Sequence, residues 1–465
     1  MRKLLVGVSA LVLAGALAGA AVHAQVPRGN EYEGEVSSRT YAPVTKRTKI
    51  PTKETFIPLS NNANAVMLEP VTPDPQRSKF VLLITHPEHI NNFDYFIAPQ
   101  MASRGYRVMM VNYYGNEVIY EEYLAPLAAA VKYLRGLPDV QKIVMTGHSG
   151  GGAVLTYYQD VAENGAKACN GPERMYPCKG KIVEALPPVD GVMNLDARAG
   201  VVERLVTLDP AITNEHPNVR NAALDLFDPK NGFDPKTKSG TYTPAFEKAY
   251  LKAQAERQRK LIADAKARLA LIEAGKGLYQ DDEPFIYAGS SLHTNDGAAL
   301  TLSDVKLLSK THAPHLLLKA DGTRPVQIVP TTYGGLTQPE EEDRLGYTTQ
   351  EVTVRNFLSY LAMDVGPDYN ITEDRITGVN WRSVANSLPG NAQGVHVPSL
   401  FMAGTCASHV VYLETAYDLS PAADKEFVAV EGANHAFAAC KPEYGDPTTK
   451  AFDYVDSWLM KPGRF

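Results

Sequence analysis

Lys142-Ile143-Val144-Met145-Thr146-Gly147-His148-Ser149-Gly150-Gly151-Gly152-Ala153-Val154-Leu155-Thr156 is the stretch that decides the fold. A short apolar run leads straight into Gly147-His148-Ser149-Gly150-Gly151, and a helical pattern starts at once. A strand, a G-x-S-x-G pentapeptide and a helix in immediate succession mark a nucleophile elbow. The turn is too tight for side chains at both flanking positions, so glycine relieves the crowding and tolerates the strained backbone. Such a turn thrusts the Ser149 hydroxyl out at the strand's end. The N-terminus of the following helix offers N–H groups and the positive end of a dipole, both suited to a developing oxyanion. The plain alternative is a glycine-rich turn carrying an incidental serine.

On either side of this stretch, apolar strands alternate with helical patterns. Residues 55–70 read as a hairpin about Asn61-Asn62-Ala63-Asn64. Residues 80–85, 107–112, 143–146 and 189–195 read as strands, and 93–104 and 119–135 as helices. Strands without polar alternation, separated by helices, predict a mostly parallel sheet covered on both faces. From about residue 200 to 394 the chain is richer in charge, proline and polar residues. Within it, 244–274 predicts one long charged helical stretch, either a hairpin arm or a single exposed helix. The charge run over 247–273 is most simply a solvated face. The sheet pattern resumes at 397–403 and 426–430, and an amphipathic helix over 448–460 closes the chain.

Composition sets bounds. The chain has 465 residues, 44% hydrophobic and 21% charged, which is globular usage for one large or two ordinary domains. A formal net charge of -6, without a basic cluster, gives no reason to expect nucleic acid or an anionic membrane as partner. Arg2 and Lys3, the apolar segment 4–22 and Val22-His23-Ala24 make a secretory leader, with Gln25 as the expected mature start. The competing reading is an uncleaved anchor; no other stretch is long and apolar enough to span a bilayer. An exported chain with four cysteines favours disulfides over free thiols, and the expected pairs are Cys169 with Cys178 and Cys406 with Cys440. No cysteine spacing resembles a zinc site.

This order resembles the α/β-hydrolase fold over the sheet portions at both ends of the chain. His86-Pro87 follows the strand at 80, where the family places a His-Gly pair, and 101–108 lead into the next strand in the family's manner. Residues 397–404 look like the penultimate strand, and Glu431-Gly432-Ala433-Asn434-His435 looks like the histidine loop. The resemblance implies an α/β core over 51–200 and 395–465, with a mostly parallel sheet flanked by helices. It implies a large, mainly helical or irregular lid over 201–394, behind a leader at 1–24 and an extension at 25–50.

The resemblance also implies a chemistry. Serine needs a base within hydrogen-bond reach and a donor pair for the oxyanion. Ser149 is the expected nucleophile and His435 the base, in the family's chain order of serine, acid, histidine. Gly150 is expected to give one oxyanion N–H. The usual glycine after His86 is Pro87, which has no N–H, so Glu88 is expected to give the second. The family's acid usually follows the penultimate strand, but that loop reads Gly404-Thr405-Cys406-Ala407-Ser408-His409, and Ala407 stands at the acid position. Some members carry the acid one strand earlier, and there this chain has Asp196; Glu431 and Glu414 are the rivals. A Cys406–Cys440 bridge would join the vacated acid loop to the histidine loop. His148 is expected to point away from the reacting centre and pack, and His86 either holds the oxyanion loop or is an ordinary buried histidine. His293, His312 and His315 are candidates for the mouth of the site or for plain surface positions.

The activity implied is an exported carboxylic ester hydrolase working through an acyl-enzyme. A peptidase or amidase would use the same machinery. A non-catalytic binding protein is the alternative of another class, favoured by Ala407 and Pro87 and opposed by Ser149 with His435. The chemistry needs no metal or cofactor. The partner expected is a small-molecule ester, not nucleic acid, with no stable membrane insertion once the leader is removed; the oligomeric state is left open.

Overall fold

A computed structural model of the chain describes residues 48–60, 62–87, 91–113, 120–178, 185–213, 216–237, 239–290, 299–331 and 349–465. The expected leader, all but the last three residues of the expected extension, Glu88 and His293 lie outside them.

The chain begins with the hairpin β1 (Thr52–Ser60) and β2 (Ala63–Pro70). There follow β3 (Phe80–Ile84), α1 (Ile97–Ala102), β4 (Arg107–Tyr113), α2 (Leu124–Arg135), β5 (Lys142–Ser149), α3 (Gly150–Asn164) and β6 (Gly191–Ala197). Beyond β6 come the long helix α4 (Pro244–Glu273) and a second hairpin, β7 (Lys310–Leu318) and β8 (Val326–Pro330). The chain closes with β9 (Ser399–Gly404), α5 (Val410–Leu419), β10 (Lys425–Val430) and α6 (Pro447–Leu459). The ten strands form one sheet in the order β1-β2-β4-β3-β5-β6-β9-β10-β7-β8. Every pairing from β4 to β7 is parallel, while β1, β2 and β8 are antiparallel additions at the edges.

The continuous apolar runs of the inner strands follow from burial on both faces. Side chains alternate, so each strand feeds two cores. Val81 and Leu83 of β3, Ile143 and Met145 of β5 and Phe401 of β9 pack with α2, α3 and α5. Leu82, Ile84, Val144 and Leu400 pack on the other face with Met101 of α1 and Phe452 and Trp458 of α6. The chain passes from β3 to β4 on one side and to β5 on the other, and the order reverses there. At such a switch the helices diverge and leave a crevice at the carboxyl ends of the strands.

Two features mark the block between β6 and β9. First, it has its own core. One stripe of α4, with Tyr250, Leu251, Gln254, Gln258, Leu261, Ile262 and Ala265, is buried at the three- and four-residue spacing of a helix face. Tyr250 and Leu261 from this stripe join Phe285, Tyr287, Phe357, Val365 and Tyr369 in that core. The helix is single, with Thr243 capping Phe246 N and Pro244 in its first turn, and only the opposite face is solvated. Second, β7 and β8 belong to the main sheet. Leu316, Leu317 and Leu318 pair in parallel with Val428, Ala429 and Val430. The core therefore takes two strands from within 201–394.

Both cysteine pairs are disulfides as expected, Cys169–Cys178 and Cys406–Cys440. Among the described residues no helix is long and apolar enough to cross a membrane.

Candidate active site

β5 ends at Ser149 and α3 starts at Gly150 with no connecting residue. Ser149 has φ 53° and ψ -135°, a conformation that L side chains adopt only when their surroundings enforce it. The enforcement is close packing. A Cβ on Gly147 would lie 2.5 Å from Gly152 Cα, and one on Gly151 would lie 2.3 Å from Thr85 O. The first turn of α3 thus sits directly on the end of β3. Arg198 N donates to Ser149 O across 3.0 Å and fastens the bend to the end of β6. Ser149 is 6% exposed.

The same approach brings the loop after β3 against the start of α3. A Cβ on Gly150 would meet Pro87 Cγ at 2.9 Å and His86 Nε2 at 3.6 Å. Tyr123 Oη donates to Pro87 O at 2.7 Å and anchors that loop. His86 is buried, with its ring 6.1 Å from Tyr95.

Asp196, at the carboxyl end of β6, is also a positive-φ residue (45°) and is fully buried. Because β6 lies between β5 and β9, its end faces both the serine bend and the loop after β9. Asp196 Oδ1 accepts from Gly404 N at 2.9 Å. Asp196 Oδ2 accepts from His435 Nδ1 at 2.6 Å and from His409 Nδ1 at 2.9 Å. Burial pushes this carboxyl up, but His409 first and His435 second outweigh it, through charge and hydrogen bonds, and hold it well below the usual carboxylate range. Since the carboxylate only accepts, each imidazole carries its proton on Nδ1.

His435 reaches this position from the loop after β10. Cys406 N donates to Ala433 O at 2.9 Å, Gly432 N donates to Thr405 Oγ1 at 2.9 Å, and the Cys406–Cys440 bridge ties the two loops covalently. Asn434 Oδ1 accepts from Ala436 N and Ala438 N and shapes the turn.

His148 is buried and packs, as expected, and part of what it packs against is the histidine loop. Its ring lies on that of His435, centroids 4.4 Å apart and 30° between planes, and its Nε2 is 2.7 Å from His435 O. A carbonyl only accepts, so Nε2 carries the proton. Burial, then the nearby His435, depress His148 well below the ordinary imidazole value, so it is neutral. Its Nδ1 therefore accepts from Tyr95 Oη, 2.6 Å away.

The rival carboxylates are engaged elsewhere. Glu414 is fully buried, and its oxygens accept from His312 N, Ala313 N and His315 Nε2. Glu431 Oε2 accepts from Ala320 N in the turn after β7. His312 and His315 accordingly fasten β7 to α5; His312 also faces Asp418 at 3.1 Å. Neither stands with the Asp196 group. His409 is the residue that sequence reasoning missed. The available signal was a histidine closing the loop whose acid position is Ala407, opposite Asp196 across β6 and β9.

Among the described residues, Asp196, His409 and His435 are the one group with metal-ligand character. Their contacts of 2.6 and 2.9 Å are hydrogen bonds. Two donors each about 2.0 Å from a tetrahedral ion would stand about 3.3 Å apart, so the group as it stands is a hydrogen-bonded triad of side chains.

No protein-family model matches the chain, and no curated protein matches it. Among solved structures, it is similar to one of two fungal esterases from Rhizomucor miehei (12% identity, 94% of this chain and 91% of that one, TM-score 0.41). It is also similar to Est1E from Butyrivibrio proteoclasticus (12% identity, 88% and 99%, TM-score 0.37). A third is a hypothetical protein from Pseudomonas aeruginosa (14% identity, 87% and 94%, TM-score 0.39). At these scores the likeness adds no argument about activity. The strand order, with the serine bend at the end of β5, is by itself that of the α/β-hydrolase fold.

Proposed function

We propose that the chain is an exported serine hydrolase that cleaves a carboxylic ester through an acyl-enzyme, with Ser149, His435 and Asp196 as its triad. The observation that carries this reading is the 2.6 Å hydrogen bond from His435 Nδ1 to the buried, ionised Asp196 carboxylate, on the strand that pairs with the one ending at the strained Ser149. With its proton on Nδ1, neutral His435 has its lone pair on Nε2, the nitrogen a base must use. Ser149 Oγ attacks the ester carbonyl carbon while His435 Nε2 takes its proton. The tetrahedral oxyanion accepts hydrogen bonds from Gly150 N–H and from Glu88 N–H, the next donor after Pro87. His435 then protonates the departing alcohol, and the acyl group stays on Ser149. Water, activated by the same nitrogen, releases the acid. Each oxyanion donor lowers the barrier by about 3 kcal/mol.

The block between β6 and β9 shapes the acyl and alcohol pockets and excludes water. Two disulfides and the leader-like N-terminus support export to the periplasm or beyond. The test is steady-state hydrolysis of an ester and an amide of one acyl group, beside Ser149→Ala. The proposal expects the ester to be turned over, the amide to be at least tenfold poorer, and both activities to be lost with the serine. Equal turnover by Ser149→Ala would refute it.

A further inference from the structure

Asp196 Oδ2 serves two imidazoles, and the proposed triad uses only one of them. His409 is 4% exposed, immediately precedes α5, and has its ring centroid 4.8 Å from that of His435. It stands in the loop from which this fold ordinarily supplies the acid, and it contributes a donor to an acid that comes from β6 instead. With Gly404 N on Oδ1, His409 brings the donors on the carboxylate to three. A buried carboxylate with fewer donors turns more freely and draws harder on those that remain.

We infer that His409 is a positioning residue for the hydrolysis: it clamps Asp196 Oδ2 in the orientation that serves His435 and moderates the carboxylate's pull on the His435 proton. The inference rests on the triad proposed above. It assigns the second imidazole a role in setting the pH dependence of the hydrolysis. The titratable groups packed against the pair are Asp196 from β6 and, on the His435 side, His148 from β5. His148 is neutral, so Asp196 is the anion to which both Nδ1–H groups point.

Loss of the His409 donor leaves His435 as the sole donor on Oδ2. The carboxylate then draws harder on the one donor it keeps there, and the acid limb of the reaction is expected to move upward. The clamp also loosens, so turnover falls while substrate affinity stays. Asparagine places an amide N–H close to where imidazole Nδ1 stands, and phenylalanine keeps the bulk without a donor.

The experiment is the pH profile of kcat/KM, with kcat and KM separated, for wild type, His409→Asn and His409→Phe, each checked for folding by circular dichroism. Ser149 labelling by a fluorophosphonate is read in parallel on wild type. His409→Phe is expected to lower kcat about tenfold, to leave KM within about twofold, and to move the acid limb upward by about one pH unit. His409→Asn is expected to restore the limb and most of kcat. Folded His409→Phe with an unmoved limb overturns the inference, as does His409→Asn behaving like His409→Phe. If His409→Phe does not fold, the decision passes to 15N-histidine NMR of wild type. Two low-field imidazole N–H signals, both lost in Asp196→Asn, support the shared carboxylate, and a single such signal overturns it. Absence of label on wild-type Ser149 would instead refute the triad on which the inference stands.

Discussion

His148 Nε2 donates to the main-chain carbonyl of His435 across 2.7 Å, so the residue before the serine holds the backbone of the histidine loop. The side chain in the second position of the G-x-S-x-G motif is thereby coupled to both partners of the proposed reaction. Covalently it precedes Ser149, and by hydrogen bond and ring contact it seats His435. Tyr95 Oη, on the other ring nitrogen, fixes the tautomer that this requires.

Replacing His148 tests that coupling. His148→Leu removes this donor from the part-buried His435 carbonyl, which costs about 1 kcal/mol of stability. A displaced His435 costs on the order of 10²-fold in kcat. His148→Gln carries an amide N–H near the same point and is expected to recover most of the rate. Steady-state kinetics and thermal unfolding of the two variants check this.

The acid is the sharpest distinction among the carboxylates. Asp196→Asn is expected to lower kcat by on the order of 10⁴, the loss seen in the triad archetype when the base takes the wrong tautomer. Glu414→Gln and Glu431→Gln are expected to leave kcat within about threefold, because their oxygens bond the β7 hairpin. Near-full activity of Asp196→Asn would remove Asp196 from the triad.

How far the sequence foretold this site depends on what kind of signal each residue carries. Ser149 is legible because its turn demands glycines at fixed spacing, and the packing of Gly147 and Gly151 shows why. The inner strands are legible because burial on both faces leaves each with a continuous apolar run. Asp196 and His409 are harder to see: their pairing depends on β6 lying next to β9, and nothing within 197–398 announces that adjacency. The β7–β8 hairpin carries a local signal, the Asp321-Gly322 turn after Leu316-Leu317-Leu318. Its membership of the sheet depends on pairing with β10, more than a hundred residues later. The packing of His148 is legible but its partner is not, because that partner is a backbone carbonyl, which sequence cannot display.

The pH behaviour follows from the depressed Asp196 carboxyl. A group whose folded value lies below its free value gives stability that is fully present above about pH 4 and is lost as pH falls further. Asp196 is therefore expected to stay ionised above about pH 4. A 13C titration of the Asp196 carboxyl, assigned by difference with Asp196→Asn, is expected to show no protonation above about pH 4.

The two disulfides should differ in consequence. Cys406–Cys440 spans 34 residues and joins the loops that bear His409 and His435, while Cys169–Cys178 spans nine. Loop-closure entropy gives about 4 kcal/mol for the longer and about 2.5 kcal/mol for the shorter. Removing Cys406 and Cys440 together is expected to lower both the melting temperature and kcat, whereas removing Cys169 and Cys178 should lower mainly the melting temperature. Paired serine variants, assayed at a temperature where both are folded, make the comparison.

The central claim is that the imidazole at 435 makes the hydroxyl at 149 reactive. Its most direct measurement is the second-order rate of fluorophosphonate modification of wild type and of His435→Ala, with the modified peptide identified by mass spectrometry. The account predicts a single adduct on Ser149 in wild type and a rate at least 10³-fold lower in His435→Ala. Folded wild type that takes no label on Ser149, or a His435→Ala variant labelled as fast as wild type, would contradict it.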